Sequence, residues 1–348
     1  MADRGIPADV AEDIYAKILA FSSYGFPESH AISFAYLVYA SAWLKCYYPA
    51  AFTAALLRAQ PMGFYSPASL ISDVRRHGVT VRGVDINASG VLAVLEKAED
   101  AGNVADPATV PAGGLPVPGQ PVIRLGLSEV RNLGTKVAEQ IVAGQPYAGL
   151  EDFARRTTVP EAALEALAMG GAFGCFGVSR REALWAAGAA ATIRPGQLPG
   201  TTLGMTAPRL PVMTAAEETF ADLWATGTYG THPIEHIRDM LRERGVLPAD
   251  QLPAAVNGTN IIVGGLVTHR QQPGTARGVV FLSLEDETGM ANIICPPNVW
   301  QRFRKIGVDA NALLVHGRVE RLDGAVSLLA TRLERLKVVA AARSRDFR

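Results

Sequence analysis

The sequence has few cysteines, little charge and no long apolar run. Its three cysteines, Cys46, Cys175 and Cys295, are far apart and form no C-x-x-C pair, which argues against a disulfide framework and a Cys/His metal site. No apolar run reaches the roughly 18 residues of a membrane-spanning helix. The N-terminus lacks the basic-then-apolar order of a signal peptide. We therefore predict a cytoplasmic protein without a membrane segment or a bound metal.

The net charge is also zero, with 33 Lys and Arg against 33 Asp and Glu, and this balance by itself argues against a nucleic-acid partner. The charge is unevenly distributed, however. Residues 258–348 contain 13 Lys and Arg against 8 Asp and Glu. An excess of this size is compatible with phosphate binding and equally with an ordinary solvated surface.

Segments rich in Pro and Gly divide the chain. Residues 106–121 and 194–212 cannot hold a long helix, and a weaker break lies at 247–258. We predict an α+β protein with several domains. The predicted domains are a helical block over 1–105, a second helical block over 106–190, a linker with a short helical connector over 191–257, a β-domain over 258–337 and a tail over 338–348.

The β-domain has the pattern of a five-stranded OB-fold barrel. Five short β-rich runs are separated by turn-forming residues, and a helix is predicted over 297–306, after the third run. The runs are 260–269, 278–285, 289–295, 312–320 and 325–331. OB-folds bind single strands or oligosaccharides through aromatic and basic side chains. The candidates for this contact are His269, Arg270, Arg277, Phe281, Trp300 and Arg302. The alternative is that Phe281 and Trp300 belong to the core, and for Trp300, on a covering helix, we favour the core.

The second helical block contains a helix-hairpin-helix pattern in LGLSEVRNLGTKVAEQIVA, residues 125–143. A short turn leads into a helix that begins at Thr135, where outward N–H groups and the helix dipole would favour a phosphate. Gly134 is expected to have a positive φ and to let the ligand approach the backbone, and Lys136 adds a positive charge. Asn132 stands where the usual hairpin has its first glycine, and Asn tolerates the left-handed region.

A second hairpin is predicted in LEALAMGGAFGC, residues 164–175, with Gly170 and Gly171 in its turn. Two hairpins in tandem indicate binding to the backbone of duplex DNA more strongly than one does. The alternative is a helical bundle whose glycines only make turns.

Near the N-terminus, SSYGFPESHA places a bend between two helices. A helix predicted over 12–21 ends before Tyr24–Pro27, because Pro27 disfavours helix at the residue before it. Ser29 is a candidate N-cap of the next helix. His30 lies in that helix's first turn, where it could face an anionic ligand. From the residues alone, a corner between two helices, with His30 satisfied locally, is the simpler interpretation.

This stretch and four further segments, in the same order, resemble the bacterial C-family DNA polymerases of the replicative α-subunit type. The further segments are GVTVRGVDINAS at 78–89, the hairpin block with Gly171-Ala172-Phe173, Thr231-His232-Pro233, and FLSLEDETG at 281–289. The resemblance covers nearly the whole chain. It implies that residues 1–105 form the end of the fingers, and that Ser29 and His30 face the incoming nucleotide in an intact polymerase.

Two departures from the replicative members resemble the error-prone, ImuC-like branch. Pro27-Glu28 stands where replicative members carry Asn-Lys, and the sequence ends soon after Leu336, whereas replicative members continue into a further domain. Phosphoryl transfer needs clustered carboxylates that hold two Mg²⁺ ions, and the chain has no D-x-D cluster. We therefore expect no catalytic residue and no cofactor here, with Mg²⁺ required by the intact polymerase.

The resemblance implies a DNA-binding part of an error-prone DNA polymerase in translesion synthesis. Its expected partners are primer-template duplex and single-stranded DNA, the polymerase palm, and accessory proteins of a mutagenesis complex. Residues 216–229 contain no Gln, so no direct binding to the sliding clamp is expected. The alternatives are a non-catalytic protein-docking module of that complex, or an OB-fold module unrelated to polymerases that binds oligosaccharide or protein.

Overall fold

The computed structural model describes most of the chain. The described residues are 7–22, 28–63, 65–98, 119–194, 197–198, 200–322, 324–338 and 345–347. They fall into two units, residues 1–48 and residues 49–348. The bend predicted at Tyr24–Pro27 lies outside the described residues. None of the described helices combines the length and apolarity that crossing a membrane would require.

The first unit consists of two helices, α1 (Ala8–Ser22) and α2 (Glu28–Tyr47). Because α2 begins at Glu28, Ser29 is a helical residue rather than the N-cap that we predicted. Large apolar side chains lie on all sides of α2 rather than along one stripe. Within this unit Ile32, Tyr36 and Tyr39 are 62%, 73% and 74% exposed. A helix that is apolar all round is typical of a buried position in a larger protein.

The second unit begins with a helical domain. Its helices are α3 (Pro49–Arg58), α4 (Pro67–Arg76), α5 (Thr135–Gly144), α6 (Leu150–Arg156), α7 (Glu161–Met169) and α8 (Arg180–Ala191). A small sheet of β1 (Val81–Arg82), β3 (Val122–Arg124) and β2 (Val94–Glu96), in this order, packs among them. One hydrophobic cluster runs from Ala50 to Ile193. The border that we predicted between residues 105 and 106 therefore lies within the span of a single core.

A connector follows, with α9 (Ala215–Thr226), α10 (Arg238–Glu243) and β4 (Val246–Leu247). Helix α9 has clear local signals at both ends. Thr214 and Glu217 form a capping box at its start, and Gly227, with φ 70°, ends it. These signals explain why a short helix forms directly after a segment rich in proline.

The remainder is a closed barrel. Its elements are β5 (Asn260–Gln271), β6 (Val280–Glu285), β7 (Met290–Cys295), α11 (Pro297–Asp309), β8 (Ala312–Leu322) and β9 (Ala325–Arg335), with β10 (Arg345–Phe347) added at the edge of β5. The strands pair in the order β5-β6-β7-β9-β8, and β8 pairs again with β5. The five-stranded OB-fold barrel with a helix after its third strand is therefore confirmed.

Trp300 belongs to the core of the barrel domain, as predicted. It is 9% exposed and packs on Gly307 in the last part of α11. A Cβ atom at Gly307 would lie 2.4 Å from Cζ3 of the indole, so the indole needs a glycine at this position.

Candidate nucleic-acid interface

The turn of the first hairpin obtains its left-handed residue from Asn132. Asn132 has φ 61°, whereas Gly134 has φ −67° and ψ 154° and is extended. Our expectation of a positive φ at Gly134 was wrong. The short polar side chain of Asn tolerates the left-handed region, so Asn132 makes the turn and leaves Gly134 as the N-cap of α5.

Gly134 is a glycine that the fold itself does not require. Its φ suits any residue, and a Cβ atom built on it would meet nothing within 4 Å. No side chain caps α5, and the first N–H groups of a helix have no partner within the helix. Thr135 and Lys136 are exposed beside them. The turn therefore presents N–H groups, a lysine and open space to a ligand.

The connector holds this hairpin turn in place. The backbone N–H of Arg131 donates to the carbonyl oxygen of Ala225 in α9 at 2.7 Å. The guanidinium of Arg131 lies over the ring of Trp224, 5.2 Å from its centroid. Val130 and Leu133 are buried on the other side of the turn. The open turn is therefore a rigid feature of the helical domain.

The second hairpin turn is not open in the same way. Gly170 is buried, and a Cβ atom there would lie 3.3 Å from the carbonyl oxygen of Ala166. Gly171 has φ 75° and packs against Arg180, whose Nε would lie 3.1 Å from an added Cβ atom. The glycines that we predicted to contact DNA therefore have packing roles in the structure.

Protein groups already occupy the surroundings of this second turn. Nη1 of Arg180 donates to the carbonyl oxygen of Met169 at 2.9 Å and to Oδ1 of Asp222 at 2.7 Å. Ser179 and Glu182 form a capping box at the start of α8. An anion at this helix start would have to displace the carboxylate of Glu182. The two hairpins are thus unequal, and the first has the open turn.

In the barrel, Arg270 is an interior residue rather than the surface contact that we predicted. It is 7% exposed, and its Nε donates to the carbonyl oxygen of Gly307 at 2.7 Å. Its guanidinium also donates to the carbonyl oxygen of Ala310. The last carbonyl groups of a helix lack partners within it. Arg270 therefore satisfies the C-terminal end of α11 and is committed to the fold.

The other barrel candidates divide between the interior and the surface. His269 is 8% exposed, so it too is covered, against our prediction of a surface contact. Phe281 is 39% exposed and lies opposite Ile294 of β7. Arg277 is exposed in the loop between β5 and β6, with φ 49°. Arg302 is exposed on α11, with its guanidinium 5.4 Å from the ring centroid of Phe303.

Phe281 and Arg277 lie on the second strand of the barrel and the loop before it, which is the surface that OB-folds use for ligands. The structure adds Asn292 to this surface. Asn292 is exposed on β7 opposite Ser283. We did not predict it, although the alternation of burial along β7 places it on the outer face.

Acidic residues at the end of β6 join the barrel to the helices around it. Glu285 is covered by α4, where Arg76 and Ser69 donate to its carboxylate at 3.2 and 3.4 Å. Burial raises the pKa of Glu285 to about 7, against the opposing effect of Arg76. Arg238 of α10 donates to Asp286 at 2.8 Å. Within the described ranges, no group of three or more His, Cys, Asp or Glu could hold a metal ion.

In the first unit, Ser29 and His30 are both exposed near the start of α2. The carbonyl oxygen of Ser29 accepts a hydrogen bond from Oγ of Ser33 at 2.8 Å. The ring of His30 lies 4.5 Å from the ring of Phe34. The contacts that the described residues show for both are local ones within α2, and their facing of a nucleotide stays a prediction.

Two known families match parts of the chain. The helix-hairpin-helix motif family matches residues 78–183, and the OB-fold nucleic acid binding domain family matches residues 261–336. Among solved structures, the asparaginyl-tRNA synthetase of Pyrococcus horikoshii is 22% identical with a TM-score of 0.23, and the match covers 28% of this chain and 24% of that one.

Curated relatives match nearly the whole chain. A protein of Mycolicibacterium paratuberculosis named error-prone DNA polymerase is 50% identical over 99% of this chain and 30% of its own length. The protein of the same name from Mycobacterium tuberculosis H37Rv is 49% identical, with the same two coverages. That of Corynebacterium glutamicum is 46% identical over 99% of this chain and 31% of its own.

The chain thus spans about 30% of the length of these relatives. It combines a helix-hairpin-helix region with an OB-fold barrel, and it is similar along nearly its whole length to a part of proteins named error-prone DNA polymerase.

Proposed function

We propose that this chain is the DNA-binding part of an error-prone DNA polymerase that acts in translesion synthesis and damage-induced mutagenesis. The observation that carries the proposal is the turn at Gly134. There, an exposed helix start has no side-chain cap, a glycine that neither φ nor packing requires, and a neighbouring Lys136. A phosphate of the duplex backbone fits this combination.

The barrel would bind the single-stranded template. Its second and third strands present Phe281 and Asn292, and Arg277 lies in the adjoining loop. An aromatic ring for stacking, a polar group for a base edge and a cation for the backbone are the groups that single-strand binding uses. The curated relatives named error-prone DNA polymerase support this assignment.

Nucleotide transfer would belong to the intact polymerase, where the Mg²⁺ ions neutralise charge on the transferred phosphoryl group. The partner region would be the palm. The exposed apolar surface of α2, with Ile32, Tyr36 and Tyr39, supports the presence of such a covering region, because apolar surface on all sides of a helix is normally buried. His30 would then face the incoming nucleotide.

The test is fluorescence anisotropy of the chain with labelled duplex and single-stranded oligonucleotides over a series of salt concentrations. We expect both to bind without sequence preference. The logarithm of the affinity for duplex should fall linearly with the logarithm of the salt concentration. Binding that does not depend on salt would contradict contact with the phosphate backbone.

A second candidate function is protein docking within a mutagenesis complex. One observation favours it: Trp185 of α8 and Phe220 of α9 are 54% and 47% exposed beside an apolar groove. If DNA binding is insensitive to salt while an accessory protein of the complex loses affinity for a Trp185→Ala variant, the docking function is the better assignment.

A further inference from the structure

Tyr65 belongs to the helical domain but lies on the barrel. It directly precedes Ser66, the N-cap of α4, and it is 50% exposed. Its ring meets the ring of His269 on β5 edge-on, with the centroids 6.1 Å apart and the planes at 78°. The aromatic contact that the described residues show for this tyrosine is therefore with a strand 204 residues later in the sequence.

The strand register shows which face of the barrel Tyr65 covers. His269 lies opposite Ser283 of β6, and Gln271 lies opposite Phe281. Residues that face each other on antiparallel strands project to the same side of the sheet, as do residues two apart along one strand. Leu282 and Leu284, which flank Ser283 on β6, are buried in the barrel core. His269, Gln271, Ser283 and Phe281 are therefore on the outer face.

A register shift brings His269 to this face. The pairing of β5 with β6 is interrupted between Val267 and His269, as at a β-bulge, which re-aims the side chains that follow it. Thr268 is the extra residue, and its Oγ1 lies 3.0 Å from Nδ1 of His269. The bulge thus orients the imidazole against which Tyr65 packs.

The exposed rings of Tyr65 and Phe281 consequently share one outer surface, with His269 linking them. His269 and Phe281 are diagonal neighbours across the strand pair, a relation that places their Cα atoms roughly 7–8 Å apart. Phe281 is 39% exposed, and exposed Asn292 lies opposite Ser283 on the next strand. The surface thus has a ring at each end, Tyr65 and Phe281, with the polar side chains of Gln271, Ser283 and Asn292 between or beside them.

We propose that Tyr65 and Phe281 form one base-stacking platform for single-stranded nucleic acid, built jointly by the helical domain and the barrel. Two rings with polar groups alongside can stack successive bases and bond to their edges. This inference rests on the proposed single-strand binding of the barrel and extends it. The strand would leave the barrel across Tyr65 and continue onto the helical domain.

The geometry of the platform depends on how the two domains are joined. Helix α4, which follows Tyr65, is fixed to β6 by Arg76 and Ser69, which donate to Glu285. Glu285 is two residues from Ser283 and lies on the same side of β6. The hydrogen bonds that hold α4 on Glu285 at the end of β6 therefore also position the ring of Tyr65 on the outer face of the barrel.

The experiment measures the affinity of the 348-residue chain for a labelled oligothymidylate by anisotropy. Stacking on one aromatic side chain accounts for about 1–3 kcal/mol per base. Tyr65→Ala and Phe281→Ala should therefore each weaken binding by about 5- to 150-fold. The slope against salt should stay the same because no charge is removed. Tyr65→Phe should keep most of the affinity. Tyr15→Ala, which removes a ring that is 64% exposed on α1, should leave the affinity for the oligothymidylate unchanged.

Duplex binding through Lys136 supplies the internal reference and should be unaffected by Tyr65→Ala. If Phe281→Ala weakens single-strand binding and Tyr65→Ala does not, the joint platform is wrong and the barrel binds alone. If the unmodified chain binds no single strand, the proposed function of the barrel is wrong, and the platform with it.

Because Tyr65→Ala removes a contact between the domains, a second measurement uses the unmodified chain. An oligonucleotide carrying 5-iododeoxyuridine is irradiated in the complex, and the cross-linked peptides are identified by mass spectrometry. We expect cross-links at both Tyr65 and Phe281. A cross-link at Phe281 with none at Tyr65, at every position of the modified base, would overturn the platform.

Discussion

Arg76 of α4 and Glu285 of β6 form an ion pair between the helical domain and the barrel. Nη1 and Oε1 are 3.2 Å apart, and the carboxylate side chain is 2% exposed. Ser69 donates to the other carboxylate oxygen at 3.4 Å, and nearby Asp73 opposes ionisation of Glu285. Removal from water outweighs the attraction of Arg76 and raises the pKa of Glu285 to about 7.

This raised pKa gives the free energy of unfolding a defined pH dependence. An acid whose pKa rises from 4.5 to about 7 on folding contributes stability that is complete below about pH 4.5 and is lost as the pH rises through 7. We expect the stability of the unmodified chain, relative to Glu285→Gln, to fall by roughly 3 kcal/mol between pH 4.5 and 8. Urea unfolding of both proteins across this range measures the difference.

The comparison between the two proteins removes an opposing contribution from His232. Burial lowers the pKa of His232 to about 3, so its contribution to stability is lost as the pH falls below about 6.5. His232 is present in both proteins, and its effect cancels in the difference. Glu243→Gln, an exposed change on α10, is the matched control. A difference between the unmodified chain and Glu285→Gln that is constant with pH would contradict the prediction.

Lys136→Ala should weaken duplex binding equally for all sequences. One phosphate contact contributes about −0.9 to the slope of log affinity against log salt, so the variant should have a slope about 0.9 less steep. Arg242→Ala serves as the control, because Arg242 is exposed on α10 and pairs with Asp239. Anisotropy across a salt series measures both variants. An unchanged slope for Lys136→Ala would mean that this hairpin does not contact the phosphate backbone.

Gly134 and Asn132 should separate binding from folding. Gly134→Ala should change stability by less than about 0.5 kcal/mol, because its backbone conformation suits alanine while alanine is a poorer N-cap than glycine. Gly134→Val should lower duplex affinity by filling the approach to the first turn of α5. Asn132→Val should instead lower the free energy of unfolding by about 1–2 kcal/mol, since a branched side chain fits the left-handed region poorly.

Urea unfolding and duplex anisotropy on these variants, measured side by side, give both quantities. A loss of stability at Gly134→Val without a loss of affinity would return Gly134 to a purely structural role.

Arg270→Ala should destabilise the barrel rather than affect DNA binding. The change removes hydrogen bonds from a charged donor to the carbonyl groups of Gly307 and Ala310, and each such bond contributes about 1.5–3 kcal/mol. Arg304→Ala, an exposed change on the same helix α11, should stay within about 0.5 kcal/mol. Thermal unfolding measures both. An Arg270→Ala variant with unchanged stability and weaker single-strand binding would restore Arg270 to the DNA interface.

The sequence alone predicted the elements whose signals are local. The five β-rich runs, the helix after the third run and the turn before Thr135 were predictable because alternation, capping and turn residues act over a few positions. Asn132 shows the limit even at this scale. The sequence placed a left-handed residue somewhere in the turn, and the assignment to Gly134 was wrong because Asn and Gly both tolerate that region.

The tertiary structure decided which side chains are available to a ligand. Arg270 and Arg277 are seven positions apart, and both were predicted to bind DNA. One caps α11 in the interior, and the other is exposed in a loop. Gly171 likewise makes a turn that the sequence indicates, but Arg180 and Asp222 close it. Burial depends on elements that return from elsewhere in the chain, and local pattern carries no information about them. For the same reason, only the fold brings Tyr65 to the surface of Phe281.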